Sequence, residues 1–104
     1  MKLHGRNLIA GIPASEGKTT FRAVAPTGGR ELEPDFYEAT EAEIDRALEA
    51  AETCFDDYRG RSAEERARFL ERVAKEVEAL GAELIERAMG ETGLPEGRDR
   101  KSVV

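Results

Sequence analysis

The sequence predicts an α+β fold in which a short N-terminal β-hairpin precedes two or three amphipathic helices. Up to about Glu38, apolar residues come in short runs or alternate with polar ones, as they do in strands, and Gly and Pro interrupt them. From Thr40 onward, apolar residues recur every three or four positions, which places them on one face of a helix. The fold class therefore follows from one change of period along the chain.

Two strands are predicted in the first part of the chain. Leu8–Ile12 lies in a brief apolar run, and Thr20–Val24 alternates, with Phe21 and Ala23 on one side. The residues between these segments are rich in turn formers and predict a connection between the two strands. An isolated two-stranded hairpin is only marginally stable in water, so we expect these strands to need a further surface.

Two helices are predicted from their start signals. Thr40–Tyr58 and Ser62–Leu80 each begin with a capping box, in which a hydroxyl residue is followed three positions later by Glu43 or Glu65. Each segment also carries an apolar face, opposite a charged surface that is typical of solvated helices.

A third, shorter helix is predicted over Ala82–Thr92. Gly81 would cost about 1 kcal/mol relative to alanine inside a helix, so we predict a break after Leu80. Gly93 and Pro95 are helix-stop signals and end the last helix.

The composition predicts a small core. Apolar residues make up 39% of the chain and charged residues 37%, whereas globular chains average about 45–50% and about 25%. Trp is absent and much of the apolar content is alanine. The buried apolar area per ordered residue is therefore expected to be low for a self-sufficient domain.

The charge argues against two classes of partner. A net charge of −6 disfavours binding to nucleic acid or to an anionic membrane, because both attract basic surfaces. Cys54 is the single cysteine, so no internal disulfide forms, which fits a reducing compartment. The first residues contain no apolar run long enough for a signal peptide or a spanning helix, and we expect a cytoplasmic protein.

A phosphate-binding loop is the most specific chemical motif that the residues imitate. Gly11 and Gly17-Lys18-Thr19 resemble it, but five residues separate the two glycines where the motif requires four. The motif also has to open a helix, whereas the residues after Thr19 alternate like a strand. We therefore interpret this segment as a turn between strands.

No catalytic, cofactor-binding or metal-binding residue is predicted from the residues alone. Cys54 lies beside Asp56 and Asp57, whose charges disfavour a thiolate, so we expect a half-buried structural cysteine. His4 has too few neighbouring ligands for a zinc site. The remaining carboxylates are spread over helix surfaces, which argues against an acid/base pair. Three C-terminal glycines have the wrong spacing for a dinucleotide motif and are interpreted as helix stops: Gly90, Gly93 and Gly97.

Five segments in order nevertheless resemble the N-terminal part of the aldehyde dehydrogenase superfamily, over about residues 5–98. They are Asn7–Gly11, Phe21–Gly29, Thr40 with Ile44–Ala47, Tyr58–Arg59 with Ser62–Ala67, and Glu91–Pro95. Within the superfamily, Leu32–Phe36, Ala79–Gly81 and Glu91–Pro95 are most similar to the α-ketoglutaric semialdehyde (2,5-dioxovalerate) dehydrogenase branch.

The resemblance implies an α/β parent enzyme that oxidises a small aldehyde to a carboxylate with NAD or NADP. In that family a cysteine thiolate attacks the aldehyde, hydride passes to the nicotinamide, and a glutamate-activated water releases the acid, while an asparagine stabilises the oxyanion. These residues lie far downstream of the matched segments, so Cys54 does not inherit the role of the nucleophile. The resemblance therefore implies an inactive fragment that binds no cofactor, and whose partner is the missing remainder of a homo-oligomeric enzyme.

We accordingly expect residues 1–98 to be an incomplete N-terminal part of the cofactor-binding region. Residues 99–104 fit no family pattern, and the codons GAT CGG AAG AGC GTC GTG, which would encode them, resemble a common sequencing adapter. We expect them to be a non-family tail that is a sequencing artefact. The alternative is a small acidic helical module that binds a partner protein through a stripe formed by Phe55, Leu70 and Val77.

Overall fold

A computed structural model describes residues 2–97 and confirms the α+β class. Among these residues, four strands precede three helices. The strands are β1 (Asn7–Ile9), β2 (Ile12–Ala14), β3 (Thr20–Val24) and β4 (Glu31–Tyr37), and the helices are α1 (Glu41–Arg59), α2 (Ala63–Ala79) and α3 (Gly81–Thr92). The predicted tail at residues 99–104 lies outside the described residues.

The chain divides into two compact units. The first unit contains Lys2–Arg22 and Glu33–Ser62, and the second contains, among the described residues, Ala23–Leu32 and residues 63–97. The first unit thus holds β1, β2 and α1, and the second holds α2 and α3.

The predicted strand at Leu8–Ile12 is two strands joined by a tight turn. β1 and β2 pair in antiparallel register, with Leu8 opposite Pro13. The turn consists of Ala10 and Gly11, whose φ angles of 51° and 78° are both left-handed. Two central residues with positive φ are typical of the hairpin turn that matches the strand twist. The prediction of one continuous strand here was wrong, because an alanine in the left-handed region gives little sequence signal.

The predicted strand at Thr20–Val24 is confirmed, but its partner is β4, which was not predicted. β4 alternates half-buried Leu32, Pro34 and Phe36 with exposed acidic residues, so it does carry the strand period. Two contacts in the first unit join the two strands. The rings of Phe21 and Phe36 stack with their centroids 5.7 Å apart, and Arg22 Nε lies 2.6 Å from a carboxylate oxygen of Asp35.

The three helices match the prediction closely. Thr40 caps α1 through the predicted capping box. Gly81 has a φ of 58° at the start of α3, which confirms the break that separates α2 from α3. Gly93 ends α3 in the left-handed conformation, and its amide donates to the carbonyl of Met89 at 2.8 Å. Gly90 lies inside α3, so its interpretation as a helix stop was wrong.

The core of the described residues is small, as the composition predicts. Only Ala25 and Ile85 are buried apolar residues within residues 2–97. Large apolar side chains on both units stay exposed, among them Leu8, Leu48 and Leu70, each at more than 60% of its full accessibility. These apolar faces are therefore available to a further surface.

Candidate functional site

The most unusual side chain in the described chain is Glu43, a fully buried carboxylate in the first turn of α1. Its Oε1 accepts the Thr40 amide at 3.0 Å, and its own amide donates to the Thr40 hydroxyl at 3.1 Å. This reciprocal capping box satisfies two backbone amides that the helix start leaves without partners. Charged carboxylates are rarely fully buried unless they are paired, so this position is a candidate for a specific role.

The surroundings of Glu43 keep it ionised. The hydrogen bond from the Thr40 amide lowers the pKa of Glu43 most, while burial acts in the opposite direction. The Glu16 amide, the Thr40 hydroxyl and the positive charge of Arg46 lower the pKa further, so the net shift is downward from 4.5. Oε2 has no hydrogen-bond partner among the described residues.

An ion pair joins α1 to the loop before β3, in the first unit. Arg46 Nη1 lies 3.0 Å from Glu16 Oε1, and this carboxylate raises the pKa of the Arg46 guanidinium. Both side chains are about half exposed, so solvent screens the pair. Gly17 follows in the same loop, and a Cβ there would collide with the carbonyl oxygen of Glu38. The loop is therefore held against the end of β4 and the start of α1.

An open cleft of about 720 Å³ lies beside this ion pair. Its lining residues are Ile9, Ala10, Ile12–Glu16, Arg46, Glu49, Ala50 and Thr53. The cleft contains much of the segment that imitates a phosphate-binding loop. A strand, β3, follows this segment, which confirms that the segment does not open a helix.

Cys54 and His4, which were considered as candidate functional residues, make only local hydrogen bonds among residues 2–97. Cys54 is exposed, so its prediction as half-buried was wrong, and its Sγ donates to the Ala51 carbonyl at 3.3 Å. The His4 ring accepts the Arg6 amide at 3.3 Å. These contacts are local, and they bring neither side chain into a constellation with Glu43.

The paired aspartates of α1 form surface ion pairs. Asp56 lies 2.8 Å from Arg59, and Asp57 lies 3.1 Å from Arg61. All four side chains are at least half exposed, which is the arrangement of a solvated helix end. Within residues 2–97, no three His, Cys, Asp or Glu side chains are grouped so that they could hold a metal ion.

Among residues 2–97, no helix combines the length and the apolar character that crossing a bilayer requires. The capping box was predicted from the sequence, whereas the burial of Glu43 and its proximity to Glu16 were not. The box itself was the only available signal, because the loop approaches α1 across 30 positions of sequence.

Comparison with known proteins gives one consistent result. The sequence model of the aldehyde dehydrogenase family matches residues 12–104. Alpha-ketoglutaric semialdehyde dehydrogenase 2 of Azospirillum brasilense is 43% identical over 99 residues, which are 94% of this chain and 19% of the relative. Alpha-ketoglutaric semialdehyde dehydrogenase of Acinetobacter baylyi is 34% identical over 92 residues, which are 88% of this chain and 18% of the relative.

The chain thus spans about a fifth of the length of these curated relatives. No solved structure matches the chain at a significant level.

Proposed function

Because this chain belongs to the aldehyde dehydrogenase family, we propose that it is the N-terminal segment of a longer enzyme that oxidises α-ketoglutaric semialdehyde to the corresponding carboxylate. The observation that carries this proposal is the 43% identity to a protein of that name over 94% of the chain. The order of the five family segments in the sequence supports the same assignment. NAD or NADP would accept the hydride in the full enzyme.

We propose that this segment contributes no catalytic or cofactor-binding residue. Cys54 is exposed and donates its thiol hydrogen bond to a carbonyl of its own helix, whereas an activated nucleophile pairs with a base or lies beside a positive charge. The segment that lines the cleft beside Arg46 is followed in sequence by the strand β3. This segment therefore does not present the amides of a helix N-terminus to a pyrophosphate. The nucleophile, the glutamate and the cofactor glycines would come from the rest of the enzyme.

The role that remains is structural, and the exposed apolar faces support it. In the first unit, a groove of about 260 Å³ lies at β1 and α1 and includes the exposed side chains of Leu8, Ile44 and Leu48. In the second unit, α2 exposes Phe69, Leu70 and Val73. Burial of such side chains contributes about 1.5–3 kcal/mol each. We propose that the remainder of the enzyme covers these faces, within a cytoplasmic homo-oligomer.

The direct test is a comparison of the 104-residue chain with the full-length protein. We expect the full-length protein to reduce NAD or NADP when α-ketoglutaric semialdehyde is added, as measured by absorbance at 340 nm, and the 104-residue chain to show no turnover. Cys54→Ala in the full-length protein should leave the rate unchanged, because this thiol is not the nucleophile. Turnover by the short chain that disappears with Cys54→Ala would contradict the assignment.

The proposed burial of the groove has a separate test. Leu48→Ser should change the free energy of unfolding of the 104-residue chain by less than about 0.5 kcal/mol, because Leu48 is exposed there. In the full-length protein the same change should cost about 2–4 kcal/mol, as expected for a buried leucine. Thermal unfolding of both proteins measures the difference, and Glu49→Ser on the same helix is the control. Equal effects in both proteins would reject the docking surface without affecting the proposed reaction.

The boundary at residue 98 stays a prediction. The family match extends to residue 104 and so includes the six residues that the sequence analysis set apart. Residues 99–104 either belong to the family sequence or are a sequencing artefact. Reading the coding DNA beyond the Arg98 codon distinguishes these two possibilities. A family-like sequence that directly continues from Arg98 and replaces residues 99–104 would identify those residues as an artefact.

The second candidate function is an acidic interaction module, and the exposed apolar residues of α1 and α2 are the observation that favours it. Hydrogen exchange on the 104-residue chain separates the candidates. An enzyme fragment should exchange the amides of residues 8–24 quickly, because two-stranded ribbons are marginal without a covering surface. Strong protection throughout these residues in a monodisperse monomer would favour the module.

A further inference from the structure

We draw no further inference here: the strongest candidate, the apolar groove at β1 and α1 that contains Leu8, Ile44 and Leu48 together with the buried Glu43, belongs to the surface already assigned under the proposed function, and nothing else in the structure shows what covers it.

Discussion

The long-range ion pairs of the first unit contrast with the local ion pairs along α2 and α3 in the second. In the first unit, residues distant in sequence meet: the Tyr37 amide donates to the Gly5 carbonyl at 2.9 Å, and Arg46 pairs with Glu16. In the second unit, the ion pairs of α2 and α3 join residues four positions apart. These pairs are Arg68 with Glu64, Arg72 with Glu76, and Arg87 with Glu91.

The two kinds of contact stabilise different things: long-range contacts stabilise the tertiary structure, and local ion pairs stabilise individual helices. Contacts between distant residues fix the path of the chain, so their loss should disturb several elements of the first unit together. Pairs at i,i+4 add only about 0.2–0.5 kcal/mol each to a helix that forms locally. The local ion pairs of α2 and α3 should therefore tolerate substitution better than the long-range contacts of the first unit. The buried apolar residues Ala25 and Ile85 of the second unit are outside this expectation.

Two glycines give the largest expected contrast. Gly5 is buried, and a Cβ there would collide with the Asp35 carbonyl and lie 2.7 Å from Phe36 Cα, so the backbone has to move. We expect Gly5→Ala to cost about 3 kcal/mol through this overpacking. At Gly90, inside α3, a Cβ would meet only Leu32 Cδ1 at 3.8 Å, an ordinary contact. Gly90→Ala should therefore stabilise the chain by about 0.5–1 kcal/mol.

Urea unfolding followed by far-ultraviolet circular dichroism measures both changes. Because the chain has a small core, Gly5→Ala could unfold it entirely, and the full-length protein provides a second background for the same measurement. Similar changes in the free energy of unfolding for Gly5→Ala and Gly90→Ala would contradict the expected difference in packing between these positions of the two units.

Acid should affect the first unit next most strongly, through Glu43. Its pKa is lowered in the fold from an ordinary value of 4.5, so its contribution to stability is complete above pH 4.5 and is lost as pH falls through the lower, folded value. We expect Glu43→Gln to be less stable than the parent chain at neutral pH, and this difference to shrink as the pH falls below 4.5.

Urea unfolding at a series of pH values between about 7 and 3 checks this expectation. Glu16→Gln is a necessary companion, because the Glu16 carboxylate pairs with Arg46 in the same part of the first unit. Glu49→Gln, on the exposed surface of α1, is the matched control for the substitution itself. A stability difference between Glu43→Gln and the parent chain that is constant across the range would mean that the Glu43 charge does not contribute.

Local signals were sufficient to predict the helices of both units. The predicted helix at Thr40–Tyr58 is observed as Glu41–Arg59 with Thr40 as its cap. The break at Gly81 was also predicted, because a glycine between two helical patterns is read from a few neighbouring residues. Capping and periodicity depend on residues within one or two turns, so a single sequence contains the information.

Strand pairing was not predictable in the same way. β3 pairs with β4, although the sequence analysis placed it in a hairpin with the residues near Leu8. The alternation of β4 was present but combined with three acidic residues, which lower its resemblance to a strand. The hydrogen bond from the Glu38 amide to the Thr19 carbonyl, at the outer ends of the two strands, joins residues that are distant in sequence, so it left no local signal.

The candidate site shows the same limit. The capping box at Thr40 predicted that Glu43 would accept the cap amide, and this hydrogen bond is present at 3.0 Å. The sequence did not reveal that Glu43 would be fully buried, because the loop containing Glu16 approaches α1 from a distant part of the sequence. A local motif therefore predicted the bond, and the tertiary path determined its environment.

The smallest expected effect is at an ion pair of α2. Arg72 Nε lies 2.7 Å from Glu76 Oε1, but both side chains are more than 60% exposed, and Arg precedes Glu, which is the less favourable order relative to the helix dipole. We expect Arg72→Gln to change the free energy of unfolding by less than about 0.5 kcal/mol. Unfolding in urea with and without about 1 M NaCl checks this, because salt at that concentration screens exposed charges over about 3 Å. Arg68→Gln, which interrupts the pair with Glu64 in the favourable order, is the control and should have the larger effect. A loss above 1 kcal/mol at Arg72 that persists in salt would show that α2 depends on a contact beyond its own turn, and the distinction between the two units would have to be abandoned.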